Sequence, residues 1–174
     1  MKYNVQVLSK IAEEENISLT HFLVETYQKN DSTEGIGRFA KNKIHYNSTV
    51  AIIGGLVEDN PNGMISMPIG SGLYLNQGHM LFRATINHSC TPNCKIEGFN
   101  KLVAIIDIPK DTELTIDYGS VSVGNGKIII QDCNCNTDAC RKNVKTDDYL
   151  IISENILAAY PKYVRKEKCL KKKT

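Results

Sequence analysis

Hydrophobic positions change their rhythm twice along the chain. Near the start, Val5, Leu8, Ile11 and Ala12 fall at helical spacing, with Glu13, Glu14 and Glu15 ending the run. This predicts a short helix within an N-terminal segment, residues 1–20. From His21 onward the pattern becomes short apolar runs, HFLVETY, TVAIIGGLV, GLYL, KLVAIIDI and GKIII, separated by Asn, Gly and Pro. Runs of this kind between turn residues predict strands. Asp31-Ser32-Thr33-Glu34-Gly35 and Asp59-Asn60-Pro61-Asn62-Gly63 read as loops, and Ile108-Pro109-Lys110-Asp111 as a turn leading into a strand over ELTIDYG. Thr146-Asp147-Asp148 offers a helix start, with a capping hydroxyl and early negative charge. Tyr149, Ile152, Ile156, Leu157 and Tyr160 then share one helical face until Pro161 stops or kinks it. The expectation is one mostly β (α+β) domain of several small sheets, with a helix at each end.

Composition narrows the class. A chain of 174 residues can bury one full core and is too short for two ordinary domains. Its 41% hydrophobic and 23% charged residues are globular values, and no window approaches the apolar run that spans a bilayer. The opening MKYNVQVLSKIAEEENIS is acidic where a signal peptide is apolar. The expected location is therefore intracellular, cytoplasmic or nuclear, with no membrane partner. The net charge of +2 hides an asymmetry, because residues 161–174 hold seven Lys or Arg against one Glu. That tail carries +6 and leaves −4 on the other 160 residues, a body able to attract a basic, lysine-bearing partner. The tail reads as a solvated end, with nucleic-acid binding as the alternative.

The six cysteines are Cys90, Cys94, Cys133, Cys135, Cys140 and Cys169. Without a secretory signal they suit a metal site better than a disulfide framework. Cys133-x-Cys135-x4-Cys140 supplies three thiols, and a closed structural zinc site takes four ligands. On spacing alone the fourth is open among Cys90, Cys94, Cys169 or a His. The bland alternative is three incidental buried thiols.

Two other motifs precede this cluster, Ile86-Asn87-His88-Ser89-Cys90-Thr91-Pro92-Asn93-Cys94 and Glu113-Leu114-Thr115-Ile116-Asp117-Tyr118-Gly119. Taken singly, the first could be a turn whose side chains satisfy backbone groups. Tyr118 could be a core tyrosine with its hydroxyl at the rim. In this order, with the cysteines behind them, the three resemble a SET-domain protein lysine methyltransferase with a zinc-binding post-SET segment. The resemblance covers roughly residues 22–143. It divides the chain into the N-terminal segment, a SET domain over 21–120, a post-SET zinc segment over 128–144, and a C-terminal helix with basic tail over 145–174.

The resemblance implies a SET fold with a knot-like crossing, the NHSC segment threading beneath the ELTIDYG strand. It implies S-adenosylmethionine as methyl donor, with Asn87 and His88 lying against it. Gly35-Ile36-Gly37 would bring backbone close to the same ligand, where a Cβ would intrude. Arg83, in a register shifted from the family's usual arginine, and Asn134 are further cofactor candidates. Tyr118 is the implied catalytic residue, orienting a lysine amine at the end of a narrow channel. The implied zinc ligands are Cys90, Cys133, Cys135 and Cys140, which leaves Cys94 and Cys169 as free thiols. Ile116 stands where most members show Tyr or Phe, implying a roomier channel and di- or trimethyl product unless Tyr74 fills the space. The implied substrate is a lysine-bearing protein segment, histone tails being common substrates in the family. The rivals are a non-catalytic SET module that binds a peptide or cofactor, and a zinc module that binds nucleic acid.

Overall fold

The computed structural model describes residues 20–32, 35–60, 67–70, 73–76, 85–98, 100–121, 127–146 and 148. The helices expected at the two ends, Arg83, Cys169 and the basic tail lie outside the described residues. In chain order the strands are β1 (His21–Phe22), β2 (Thr26–Ser32), β3 (Gly35–Ala40), β4 (Thr49–Ile52), β5 (Leu56–Glu58), β6 (Met67–Gly70) and β7 (Leu73–Asn76). They continue with β8 (Asn87–His88), β9 (Cys94–Glu97), β10 (Lys101–Ala104), β11 (Thr115–Ile116), β12 (Ile128–Ile130) and β13 (Val144–Lys145). A 3₁₀ turn, Tyr118–Val121, follows β11. No helix among the described residues is long and apolar enough to cross a membrane.

These strands form five small sheets, as the broken apolar runs predict. The largest has the order β1-β4-β10-β9, and β5-β7-β6 makes a three-stranded sheet. Pairs β2-β3, β8-β11 and β12-β13 complete the set. Neighbouring residues on a strand point to opposite faces. Val50 and Ala51 on β4, and Leu102, Val103 and Ala104 on β10, are all buried, so both faces of these central strands are covered. Ile44, Ile53, Ile86, Ile96, Ile108 and Leu114 pack into the same core.

Two segments differ from the sequence reading. The Gly35 stretch, read as a loop and glycine turn, is strand β3, because it pairs antiparallel with β2 through Tyr27↔Phe39 and Gln28↔Arg38. Stacking of Tyr27 on Phe39, with ring centroids 5.6 Å apart, supplies side-chain contact that glycine itself lacks. The strand expected over ELTIDYG is only Thr115–Ile116, since the Asp117 side chain accepts from the Gly119 amide at 2.9 Å and folds the chain into the turn. The 108–111 turn is as expected, with Asp111 at φ 62°.

Leu102 lies fully buried at the centre of the largest sheet. Leu102→Ala should therefore lower unfolding free energy by about 2–5 kcal/mol, measured by denaturant titration, whereas the exposed Tyr46→Ala should cost under about 1 kcal/mol.

Candidate functional site

The site begins with a two-stranded pairing. β8 and β11 run parallel, with Asn87 opposite Thr115 and His88 opposite Ile116. The Ser89 amide extends the ladder to the Ile116 carbonyl at 3.0 Å. Asn93 then fastens the two segments, its Nδ2 donating to the Glu113 carbonyl at 2.7 Å and its Oδ1 accepting the Thr115 amide at 2.9 Å. An asparagine amide carries a donor and an acceptor like a peptide group, so Asn93 substitutes for a strand residue.

Around Asn87 the structure gathers three of the expected cofactor residues. Asn87 Nδ2 donates to Glu113 Oε1 at 2.7 Å and to the Ile36 carbonyl at 3.3 Å. Gly35 and Gly37 serve different ends. Gly35 adopts φ +108° with nothing near the place of a Cβ, whereas a Cβ on Gly37 would collide with the Glu113 carboxylate. The missing Gly37 side chain thus makes room for Glu113. Sequence reasoning did not single out Glu113, and nothing in its spacing marks it. Asn134 is exposed on the cysteine segment and Tyr74 half-buried on β7, and no hydrogen bond among the described residues ties either to this group. Ile116 is 1% exposed and belongs to the main core.

Tyr118 is held at three points. Its hydroxyl donates to the Ile86 carbonyl at 2.8 Å, and its amide donates to His88 Nδ1 at 3.2 Å. The turn beneath it closes through Ser120, whose amide and Oγ both reach the Asp117 carbonyl, at 2.9 and 2.6 Å. Because His88 Nδ1 accepts, a neutral His88 ring carries its proton on Nε2, which lies 3.2 Å from Cys90 Sγ. Burial pushes the His88 pKa down to about 4, against an upward pull from Asp117, so the ring is neutral at neutral pH.

The third motif arrives on the same spot. Ligand atoms of His88, Cys90, Cys133 and Cys135 all lie within 4.8 Å of one another. The Cys90 amide faces Cys135 Sγ at 3.5 Å, and Cys140 Sγ faces the Cys133 carbonyl at 3.4 Å. Val144 and Ile130 from the β12-β13 hairpin pack against the group. Burial raises the Cys90 and Cys133 thiols, whereas on Cys135 hydrogen bonds from Thr137 and the Cys90 amide outweigh burial and lower it. Adjacent thiolates repel one another, so ionising all of them requires a cation between them. The cluster could hold a metal ion, and cysteine sulfur is a donor that suits zinc. Cys94 sits in the main core instead, its thiol pushed up to about 12 by burial.

Comparison with known proteins gives the family. A family model described as SET domain matches residues 5–119, and the chain belongs to the SET-domain family. A mouse (Mus musculus) protein named histone-lysine N-methyltransferase NSD3 is 37% identical over 62 residues, 32% of this chain and 4% of that protein. A histone-lysine N-methyltransferase of Emericella nidulans, H3 lysine-4 specific, is 52% identical over 40 residues, 19% of this chain and 3% of that one. The chain thus spans a small fraction of these relatives. The fold is similar to that of KRYPTONITE solved with mCHH DNA, an H3(1-15) peptide and SAH, at TM-score 0.54 and 24% identity over 71% of this chain and 30% of that one.

The Gly37–Glu113 contact has a direct test. Gly37→Ala should cost about 1–3 kcal/mol of stability by overpacking. Because the severest clash is with the Glu113 carboxylate, the Phe39 ring being 3.1 Å away, Gly37→Ala/Glu113→Ala should be more stable than the sum of the single changes. Thermal or denaturant unfolding of the four proteins reads this, and simple additivity would contradict the contact.

Proposed function

We propose that this chain is an S-adenosylmethionine-dependent protein-lysine N-methyltransferase. The observation that carries the reading is the Tyr118 hydroxyl on the Ile86 carbonyl, one residue before the Asn87 side chain that meets the Ile36 carbonyl and Glu113. A candidate catalytic hydroxyl beside the candidate cofactor residues supports the reading.

When bound, S-adenosylmethionine supplies an electrophilic methyl group on a sulfonium. The residues present fit it: Asn87 and Glu113 offer polar atoms to an amino-acid end, and the exposed Gly35-Ile36 backbone admits close approach. Methyl transfer of this kind is an in-line displacement, so the protein's task is to position two reactants and exclude water. A lysine amine attacks only when deprotonated, and its ordinary pKa is far above neutrality. An apolar channel disfavours the ammonium and brings that value down. With its proton committed to Ile86, the Tyr118 oxygen accepts from the amine N–H and turns the nitrogen lone pair. No side-chain general base is needed.

We assign one zinc ion to the cysteine segment. His88 Nδ1 already accepts a backbone amide, so its Nε2–H serves the Cys90 sulfur as a donor rather than the metal as a ligand. That supports Cys90, Cys133 and Cys135 as ligands with His88 behind them. Cys140 stands outside the close group, its Sγ on the Cys133 carbonyl, and we take it as the fourth ligand on the family resemblance. For the substrate we infer a lysine-bearing protein segment, with a histone tail as the first to try given the peptide in the related complex. The exposed edge strand β5 offers backbone groups to which such an extended segment could add.

The test is methyl transfer to histone peptides, followed by mass spectrometry. The unaltered chain should add methyl groups to lysine. Tyr118→Phe should bind S-adenosylhomocysteine normally and lose about two to four orders of magnitude in turnover. Binding of cofactor and peptide with no transfer would instead support a non-catalytic module, and near-normal turnover in Tyr118→Phe would move the catalytic role elsewhere.

A further inference from the structure

Asp117 carries the turn that presents Tyr118, and it does so from a dry place. The residue is 2% exposed, and its carboxylate accepts the Gly119 amide while its carbonyl takes the Ser120 amide and hydroxyl. A buried carboxylate is costly unless a counter-charge meets it. His88 Nδ1 is 3.7 Å from Asp117 Oδ1, but that nitrogen accepts the Tyr118 amide and has no proton to offer.

The counter-charge comes from Arg141. Its Nη1 donates to Asp117 Oδ2 at 2.8 Å and its Nη2 to Asp117 Oδ1 at 2.6 Å, a two-pronged contact that a lysine cannot copy. On its far side Nε lies 3.4 Å from Asp148 Oδ2, and Asp148 is itself fixed by the Lys145 amide at 3.0 Å. Arg141 directly follows Cys140, and its own amide faces Cys90 Sγ at 3.4 Å. The guanidinium therefore reaches Asp117 from the docked cysteine segment.

We propose that Arg141 is the positioning residue that couples docking of the cysteine segment to alignment of Tyr118. Seating the segment brings the guanidinium onto Asp117, which stabilises the turn and sets the phenol. Before seating, Asp117 is a carboxylate without this partner, the turn loosens, and Tyr118 is out of line. The segment is then more than a cover, because it completes the turn that carries Tyr118. The rate measurement rests on the methyl-transfer reading above; the structural measurement does not.

Four variants test this: Arg141→Met, Arg141→Lys, Asp117→Asn and the double Asp117→Asn/Arg141→Met. Metal content and S-adenosylhomocysteine affinity establish that each is folded. Arg141→Met should keep its metal and its cofactor affinity within about threefold, yet lose about a hundredfold in kcat with little change in peptide KM. Amide hydrogen exchange over residues 118–121 should rise about tenfold or more in the same protein. Arg141→Lys should recover only part of the rate. The double variant should be no slower than Arg141→Met, because it removes the Asp117 charge that the single variant leaves without Arg141, while Asp148 loses Arg141 equally in both. Rates within about threefold of the unaltered protein, a loss that only tracks metal loss, or multiplicative effects in the double variant would each overturn the coupling. If the unaltered chain transfers no methyl group, the functional reading fails by itself. Exchange over 118–121 then decides the coupling alone, and an unchanged rate in Arg141→Met would overturn it.

Discussion

The short parallel ladder between β8 and β11 is the constraint on which the site depends. Two residue pairs, Asn87 with Thr115 and His88 with Ile116, are too few to hold a sheet alone. Asn93 adds side-chain bonds to both Glu113 and Thr115, and Ile86, Leu114 and Ile116 are buried in the main core on either side of the ladder. Apolar burial of that kind supplies most of the stabilisation, and the hydrogen bonds set the register. Once the register is set, Asn87 must face Ile36 and Glu113, and Tyr118 must follow His88. A slip of one residue would turn every side chain to the opposite face and scatter the site.

Electrostatics then ties the third motif to the first two. Among the described residues, Asp117 and Asp148 are buried acids that share one guanidinium, Arg141. Beside them lie the cysteines, whose thiols cannot all ionise without a cation. Two separate charge requirements, one met by Arg141 and one that the proposed metal would meet, bear on the same segment beside the same turn. Burying charge in this way gains little net stability. What it secures is that the segment docks in one position.

Much of this was legible in the sequence. The apolar runs marked most strands, the Ile108–Asp111 turn followed from proline and aspartate, and the order of NHSC, ELTIDYG and the cysteines pointed to the family. What was not legible depends on distant partners. β3 is a strand because β2 pairs with it, which two glycines in its sequence conceal. Glu113 meets Asn87 across 26 residues and Arg141 meets Asp117 across 24, and a lone charged side chain leaves no periodic trace. The cysteine spacing left the fourth donor open to a His. The structure brings His88 to the cluster, and only its hydrogen bond to the Tyr118 amide argues that it stands behind the sulfur.

The central claim is that the NHSC motif and the cysteine segment build one centre, and metal content tests it most directly. Cys90 and Cys94 lie four residues apart and are both buried, but only Cys90 faces Cys133 and Cys135. Elemental analysis of the purified protein should find one zinc per chain in the unaltered protein and in Cys94→Ser, and almost none in Cys90→Ser. No zinc in the unaltered protein, or equal zinc in the two variants, would contradict the account.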